Sequence, residues 1–167
     1  MAKVVIIRGY CGTGKSSVAK NIAKKNNFAF LEYDVFLWNM NTAKKPSKFE
    51  YEITFQNFLS VLKNYLKTGK NIIIEGPLVP RTGEDPFNLK KIISIIKKVN
   101  YKCQIIQLTA NENVCVKRMK KRNYIVPKWE RDMFKRKHDE SIQKNEIIID
   151  NSNLTIRQTI NKIEKLL

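Results

Sequence analysis

The sequence predicts an α/β fold in which a parallel sheet is covered by helices on both faces. Three observations predict it. Short β-branched apolar runs alternate with segments of helical period along the whole chain. The runs are apolar at nearly every position, which is the pattern of strands buried on both faces. No repeat, low-complexity tract or linker breaks the alternation, so the 167 residues read as one domain, 1–167.

Taken in order, "KVVIIR" (3–8) is a short buried strand that runs into a glycine, and a helix follows from about Lys15 to Asn26. "FAFLEYD" (28–34) is the second strand, followed by a helical region from Val35 to near Thr42 that is interrupted around Pro46. Phe55, Phe58, Leu59, Leu62 and Leu66 recur at helical spacing and predict a helix over 49–67 with one apolar face. "NIIIEG" (71–76) is the third strand, and "PLVPRTGEDP", with three of the five prolines, is a loop. A helix over Phe87 to Val99 precedes the strand "CQIIQLTA" (103–110). Asn111 is placed to cap the next helix, which ends at Arg122. A break over 123–128 precedes a charged helix from Lys128 to Gln143. "EIIID" (146–150) is the last strand and Thr155–Leu167 the last helix. Repeated strand–helix–strand units imply right-handed crossovers and hence a parallel sheet.

Composition narrows the class. With 43% hydrophobic and 10% aromatic residues the chain is globular. No apolar run approaches the roughly 20 residues that a bilayer demands. The N-terminus lacks a small-residue cleavage site, so no signal peptide is expected. Cys11, Cys103 and Cys115 lack CxxC spacing and suit reduced thiols in a cytoplasmic protein. The net charge of +17 points to a polyanionic partner such as nucleic acid, or else to a lysine-rich codon bias. The lysines spread over helix faces and turns rather than concentrating in one motif, which disfavours nucleic acid.

Six glycines occur in the chain, and Gly9, Gly12 and Gly14 fall within "RGYCGTGKSS" (8–17). Gly9-x4-Gly14-Lys15-Ser16 is the phosphate-binding pattern G-x-x-x-x-G-K-[ST], here set between a buried strand and a helix. Its physics explains the glycines: successive backbone N–H groups must point inward, at dihedrals a Cβ would forbid. The following helix adds the positive end of its dipole. The predicted ATP-binding residues are Gly9, Cys11, Gly12, Thr13, Gly14, Lys15, Ser16 and Ser17, with Lys15 as point charge and Ser16 as oxygen donor to Mg²⁺.

With these residues the chain resembles the small P-loop kinases of the nucleoside monophosphate kinase-like group, among them compact bacterial AAA-domain proteins. "VVIIRGYCGTGKSSVAKNIAKK", "FLEYDVF", "NIIIEGPLV", "IIQLTANENVCVKRMKKR" and "EIIIDNSNLTIRQTINKI" resemble that group's segments in order. The resemblance implies a three-layer fold with a five-stranded parallel sheet in order 2-3-1-4-5. It also implies a magnesium partner at Glu75, where many relatives carry Asp, an ATP clamp from lid arginines, and an acceptor carboxylate at Asp34.

The remaining candidates each carry a plainer alternative. Asp34 follows the second strand at the sheet edge where such folds bind ligands, or else it caps the next helix. Glu75 ends the third strand beside Gly76 as a metal partner, or as a buried carboxylate paired with lysine. Arg118 and Arg122, spaced i, i+4, can straddle phosphate oxygens, or can lie on a solvated face. Arg131 and Arg136 stand in the charged segment, within a lid-like region over about 118–137. Arg81 overhangs an acceptor pocket, or pairs with Glu84 or Asp85. Trp38 offers a stacking platform for substrate, or packs with Phe36 against the core. No role falls to His138.

There is no NKxD guanine motif, no transporter signature and no room for the second domain of a mechanical AAA machine. The reading is an ATP- and Mg²⁺-dependent kinase acting on a hydroxyl or phosphate of a small soluble acceptor. A polynucleotide 5′-hydroxyl kinase and a regulatory ATPase stand as alternatives.

Overall fold

The computed structural model describes residues 1–40, 47–76, 89–123 and 145–167. The expected loop 77–86, the charged helix 128–143, and with them Arg81, Arg131, Arg136 and His138, lie outside the described residues.

Five strands form one parallel sheet in the order β2-β3-β1-β4-β5. They are β1 (Lys3–Gly9), β2 (Ala29–Glu32), β3 (Ile72–Gly76), β4 (Lys102–Thr109) and β5 (Ile147–Asp150). Six described helices connect and flank them: α1 (Lys15–Lys25), α2 (Tyr33–Trp38), α3 (Lys48–Leu66), α4 (Leu89–Lys98), α5 (Glu112–Lys120) and α6 (Ile156–Glu164).

The alternation of side chains along β1 explains why its run is apolar throughout. Val4 and Ile6 point to one face and pack beneath α3 and α4 with Phe58, Leu62, Ile92 and Ile96. Val5 and Ile7 point to the other and pack with Val18, Ile22 and Ile163 of α1 and α6. Burying a side chain such as Phe58 or Leu62 stabilises the fold by about 1.5–3 kcal/mol each. The ends of α3 and α6 are fixed by capping boxes, Ser47 with Glu50 and Thr155 with Gln158.

Two expectations need correction. The second strand stops at Glu32, the last residue registered with β3 through Glu75, and Tyr33–Trp38 is helix. Tyr33 turns inward there, edge-on to Phe58, so Asp34 belongs to the first turn of α2 rather than to a strand end. Asn111 occupies the N-cap of α5 but its side chain makes no capping bond. The backbone N–H of Asn111 instead donates to Ser152 Oγ at 2.9 Å, which ties the start of α5 to the turn after β5.

Candidate active site

β1 delivers the chain at the centre of the sheet, and the glycine loop then turns it into α1. Gly12, at φ 79°, lies so close to α5 that a Cβ would stand 2.6 Å from the Cys115 carbonyl oxygen. Gly14 is the N-cap of α1 in the left-handed region, at φ 85°, and it provides no capping side chain. The first amides of α1 therefore point out of the helix end without intrahelical acceptors, an arrangement suited to phosphate oxygens. Thr13 is buried and its hydroxyl donates to the Tyr10 carbonyl at 2.8 Å, which tightens the loop. Cys11 packs beside Cys115 and Met119, and all three cysteines are free thiols. Burial pushes the Cys115 thiol up to about 11, so it behaves as a packing residue.

Lys15, Ser16 and Glu75 converge below this loop. Ser16 Oγ donates to Glu75 Oε1 at 3.0 Å, and Lys15 Nζ lies 3.4 Å from the same oxygen. Lys15 and Glu75 are both buried. Burial is the largest influence on each, lowering the ammonium and raising the carboxyl. At Lys15 the attraction of Glu75 and then Asp34 outweighs burial, and the ammonium is held above its ordinary range. At Glu75 burial, helped by repulsion from Asp34 and Glu32, outweighs the pull of Lys15, and the carboxyl is pushed up. Among these groups negative charge is in excess; Glu32 has its own partner in Lys20 Nζ at 3.0 Å.

A hard dication takes oxygen ligands and would relieve that excess. Glu75 Oε2 is buried without a hydrogen-bond partner among the described residues, and it sits beside the Ser16 hydroxyl. The residues present therefore fit Mg²⁺.

A cleft of about 230 Å³ adjoins the loop, lined by Gly12, Val18, Met119, Arg122, Leu154 and Ile156 among others. Arg118 reaches it from α5 and Arg122 from the turn just past that helix, where the expected helix end at Arg122 gives way two residues early, and the two do different things. Arg122 Nη2 donates to Ser17 Oγ at 3.2 Å. Arg118 donates to backbone and amide oxygens: Gly12 O at 3.5 Å, Asn151 Oδ1 at 3.1 Å, Asn151 O at 3.0 Å and Leu154 O at 3.4 Å. A larger open groove of about 600 Å³ lies along α4, lined by Lys90, Ile93, Ser94, Lys97 and Lys98. It brings together one helix face and no converging chemistry, so the smaller cleft carries the functional argument.

Trp38 and Phe36 separate. Phe36 packs edge-on to Phe58, whereas Trp38 is 62% exposed, so its core-packing alternative does not hold.

Sequence reasoning missed two features of this region. Arg8, at the end of β1, is buried and bidentate to Glu146 through Nε and through Nη2, the latter at 2.7 Å. Its Nη2 also donates to Gln107 Oε1 at 3.2 Å. A charged residue ending an otherwise apolar central strand is the signal that could have found it, because such a group needs a buried partner. Asn151, just beyond β5, is the other, and nothing local in "DNSN" marks it.

A glycine cradle on the central strand, with a lysine, a hydroxyl and an unsatisfied carboxylate gathered beneath it, defines a P-loop protein. Its sheet order is that of the kinase-like branch. The family model of an AAA domain (AAA_33) matches residues 4–141, and the chain belongs to that family. No curated protein matches the sequence. Among solved structures, a sugar kinase from Janibacter sp. superposes with a TM-score of 0.70 at 16% identity, covering 99% of this chain and 94% of that one. A gluconokinase from Sinorhizobium meliloti gives 0.66 at 15% identity, with 98% and 93% covered. The Mycobacterium tuberculosis APS kinase, in complex with AMPPNP and APS, gives 0.62 at 14% identity, with 99% and 96% covered. At these identities the likeness establishes the fold.

Proposed function

We propose that the protein is an ATP- and Mg²⁺-dependent phosphotransferase that moves the γ-phosphoryl group to a hydroxyl or phosphate of a small soluble acceptor. One observation carries the reading: Lys15, Ser16 and the orphaned oxygen of Glu75 meet under an uncapped helix end, with Asp34 close enough to bias both charged partners. The fold neighbours that are a sugar kinase, a gluconokinase and an APS kinase support a small acceptor.

The chain's residues divide the work. The amides from Gly12 to Ser17 receive phosphate oxygens, and Lys15 neutralises charge on the transferring group. Ser16 and Glu75 would hold Mg²⁺, which would supply positive charge to offset that of the phosphate oxygens. Arg122, beside Ser17, adds a guanidinium to the phosphate run, whereas Arg118 acts from behind the loop. Asp34, in the first turn of α2, orients the acceptor hydroxyl and takes its proton. Trp38, which is exposed, and Arg81, which lies outside the described residues, are the acceptor-side residues of this reading, and the segment near 118–137 is the lid of a single domain. Free thiols support a cytoplasmic setting. Among the described residues no helix is long and apolar enough to cross a membrane.

The net charge of +17 favours one second reading, a polynucleotide 5′-hydroxyl as acceptor. A panel of nucleosides, sugars, aminoglycosides and 5′-hydroxyl oligonucleotides, scored by acceptor-stimulated ADP release, tests both. Stimulation by a small acceptor supports the main reading, and stimulation by oligonucleotide alone selects the second. Turnover indifferent to every acceptor argues for a regulatory ATPase.

A further inference from the structure

The glycine loop needs one particular peptide orientation, and its glycines do little to enforce it. The Thr13–Gly14 peptide plane turns about ψ of Thr13 and φ of Gly14, and Gly14, at φ 85° and without a Cβ, accepts either orientation on its side. Its orientation matters, because the carbonyl and N–H of a trans peptide point in opposite directions. With Thr13 O directed away from the cradle, the Gly14 N–H is directed into it.

Asn151 holds that carbonyl. Its Nδ2 donates to Thr13 O at 2.7 Å, and both groups are buried. Asn151 is itself fixed at four points. Its backbone N–H donates to Thr109 O at 2.9 Å, and its carbonyl accepts from Leu154 N at 3.1 Å. Arg118 donates to its Oδ1 at 3.1 Å and to its carbonyl at 3.0 Å. The bond to Oδ1 also sets the amide: with oxygen facing the guanidinium, the NH₂ must face the loop. Arg118 reaches Gly12 O as well, at 3.5 Å, so two consecutive loop carbonyls are drawn toward the same side.

We propose that Asn151, oriented by Arg118, is a positioning residue that pre-organises the phosphate cradle by pinning the Thr13 carbonyl away from it. The inference rests on the phosphotransferase reading for its ligand and extends it by assigning a role to the turn after β5. It predicts an effect confined to the polyphosphate part of the nucleotide. Without the pin, the Gly14 amide samples both orientations, and part of the binding free energy goes into selecting the right one.

The test is Asn151→Asp, which keeps shape and the acceptor toward Arg118 but removes the donor toward Thr13 O. Calorimetry with Mg²⁺–AMPPNP and with inorganic tripolyphosphate should show affinity reduced about tenfold for both. KM for ATP should rise by a similar factor while KM for the acceptor stays unchanged. The Gly14 amide resonance should shift in the ligand-free variant. If Asn151→Asp fails to fold, Arg118→Lys, which loses the fork that orients the amide, should weaken tripolyphosphate binding in the same sense. Wild-type affinity for tripolyphosphate in a folded variant overturns the inference alone and leaves the phosphotransferase reading intact. A wild-type chain that binds neither Mg²⁺–AMPPNP nor tripolyphosphate overturns both.

Discussion

Ser16 and Glu75 meet through a single oxygen: the hydroxyl donates to Glu75 Oε1 at 3.0 Å and leaves Oε2 buried and unpartnered among the described residues. The half-satisfied carboxylate is the clearest sign that something cationic completes the site. Glu75→Gln keeps the size and one acceptor but removes the charge a dication needs. The expected result is nucleotide-dependent turnover reduced by about 10²–10³-fold, the scale of losing one charge-stabilising group. Titrating Mg²⁺ against initial rate checks it, and the variant should also require more metal for half-maximal rate.

The pH dependence follows from the same pair. The Glu75 carboxyl is pushed up from its ordinary 4.5, so between that value and its folded value the native chain holds more protons than the unfolded one. Stability contributed by this group is thus lost as pH rises above 4.5. Lys15 is raised above 10.5, so its contribution is complete below that pH and is lost only as pH climbs through the folded value. Melting temperature measured from pH 5 to pH 8 should fall less steeply in Glu75→Gln than in the wild type. Stabilisation by Mg²⁺ should grow with pH, because the metal and the proton compete for one carboxylate.

The Arg8–Glu146 pair makes a prediction about stability rather than chemistry. Both side chains are buried, and removing one leaves the other charged in a low-dielectric environment. Glu146→Ala should destabilise the fold by about 3–5 kcal/mol in chemical denaturation, the scale of breaking a buried ion pair. The Phe28 and Phe30 rings make a useful contrast, since each carries a lysine over its face at an accessible site. Lys20→Ala, which removes both the contact with Phe30 and the exposed ion pair with Glu32, should cost only about 0.5–1 kcal/mol by the same measurement.

Trp38 separates an acceptor role from a structural one. At 62% exposure it contributes little packing, so Trp38→Ala should change stability by no more than about 0.5 kcal/mol. If its ring stacks on the acceptor, KM for that acceptor rises while KM for ATP holds. A large loss of stability would contradict the exposed placement.

The central strands and the cradle were legible because their signals are local. "VVII" and "NIII" announce double-sided burial through composition alone, and glycine spacing announces the loop. β2 was read too long, to Asp34, because Tyr33 continues the apolar pattern of Phe30 and Leu31, while the turn inward is decided by Phe58 on α3. Asn151 was invisible for a sharper reason: its side-chain partner, Thr13 O, lies 138 residues earlier in the chain. Arg118 was recognised as important, yet its four oxygen acceptors come from the loop and from the turn after β5, which a helical spacing argument cannot see.

The central claim is that the loop and Lys15 together bind the polyphosphate of a nucleotide. Its most direct test is calorimetric titration of Mg²⁺–AMPPNP into wild type and Lys15→Ala at equal ionic strength. The account predicts saturable one-to-one binding by the wild type and affinity at least about tenfold weaker in the variant. Equal affinity in the two proteins would contradict it.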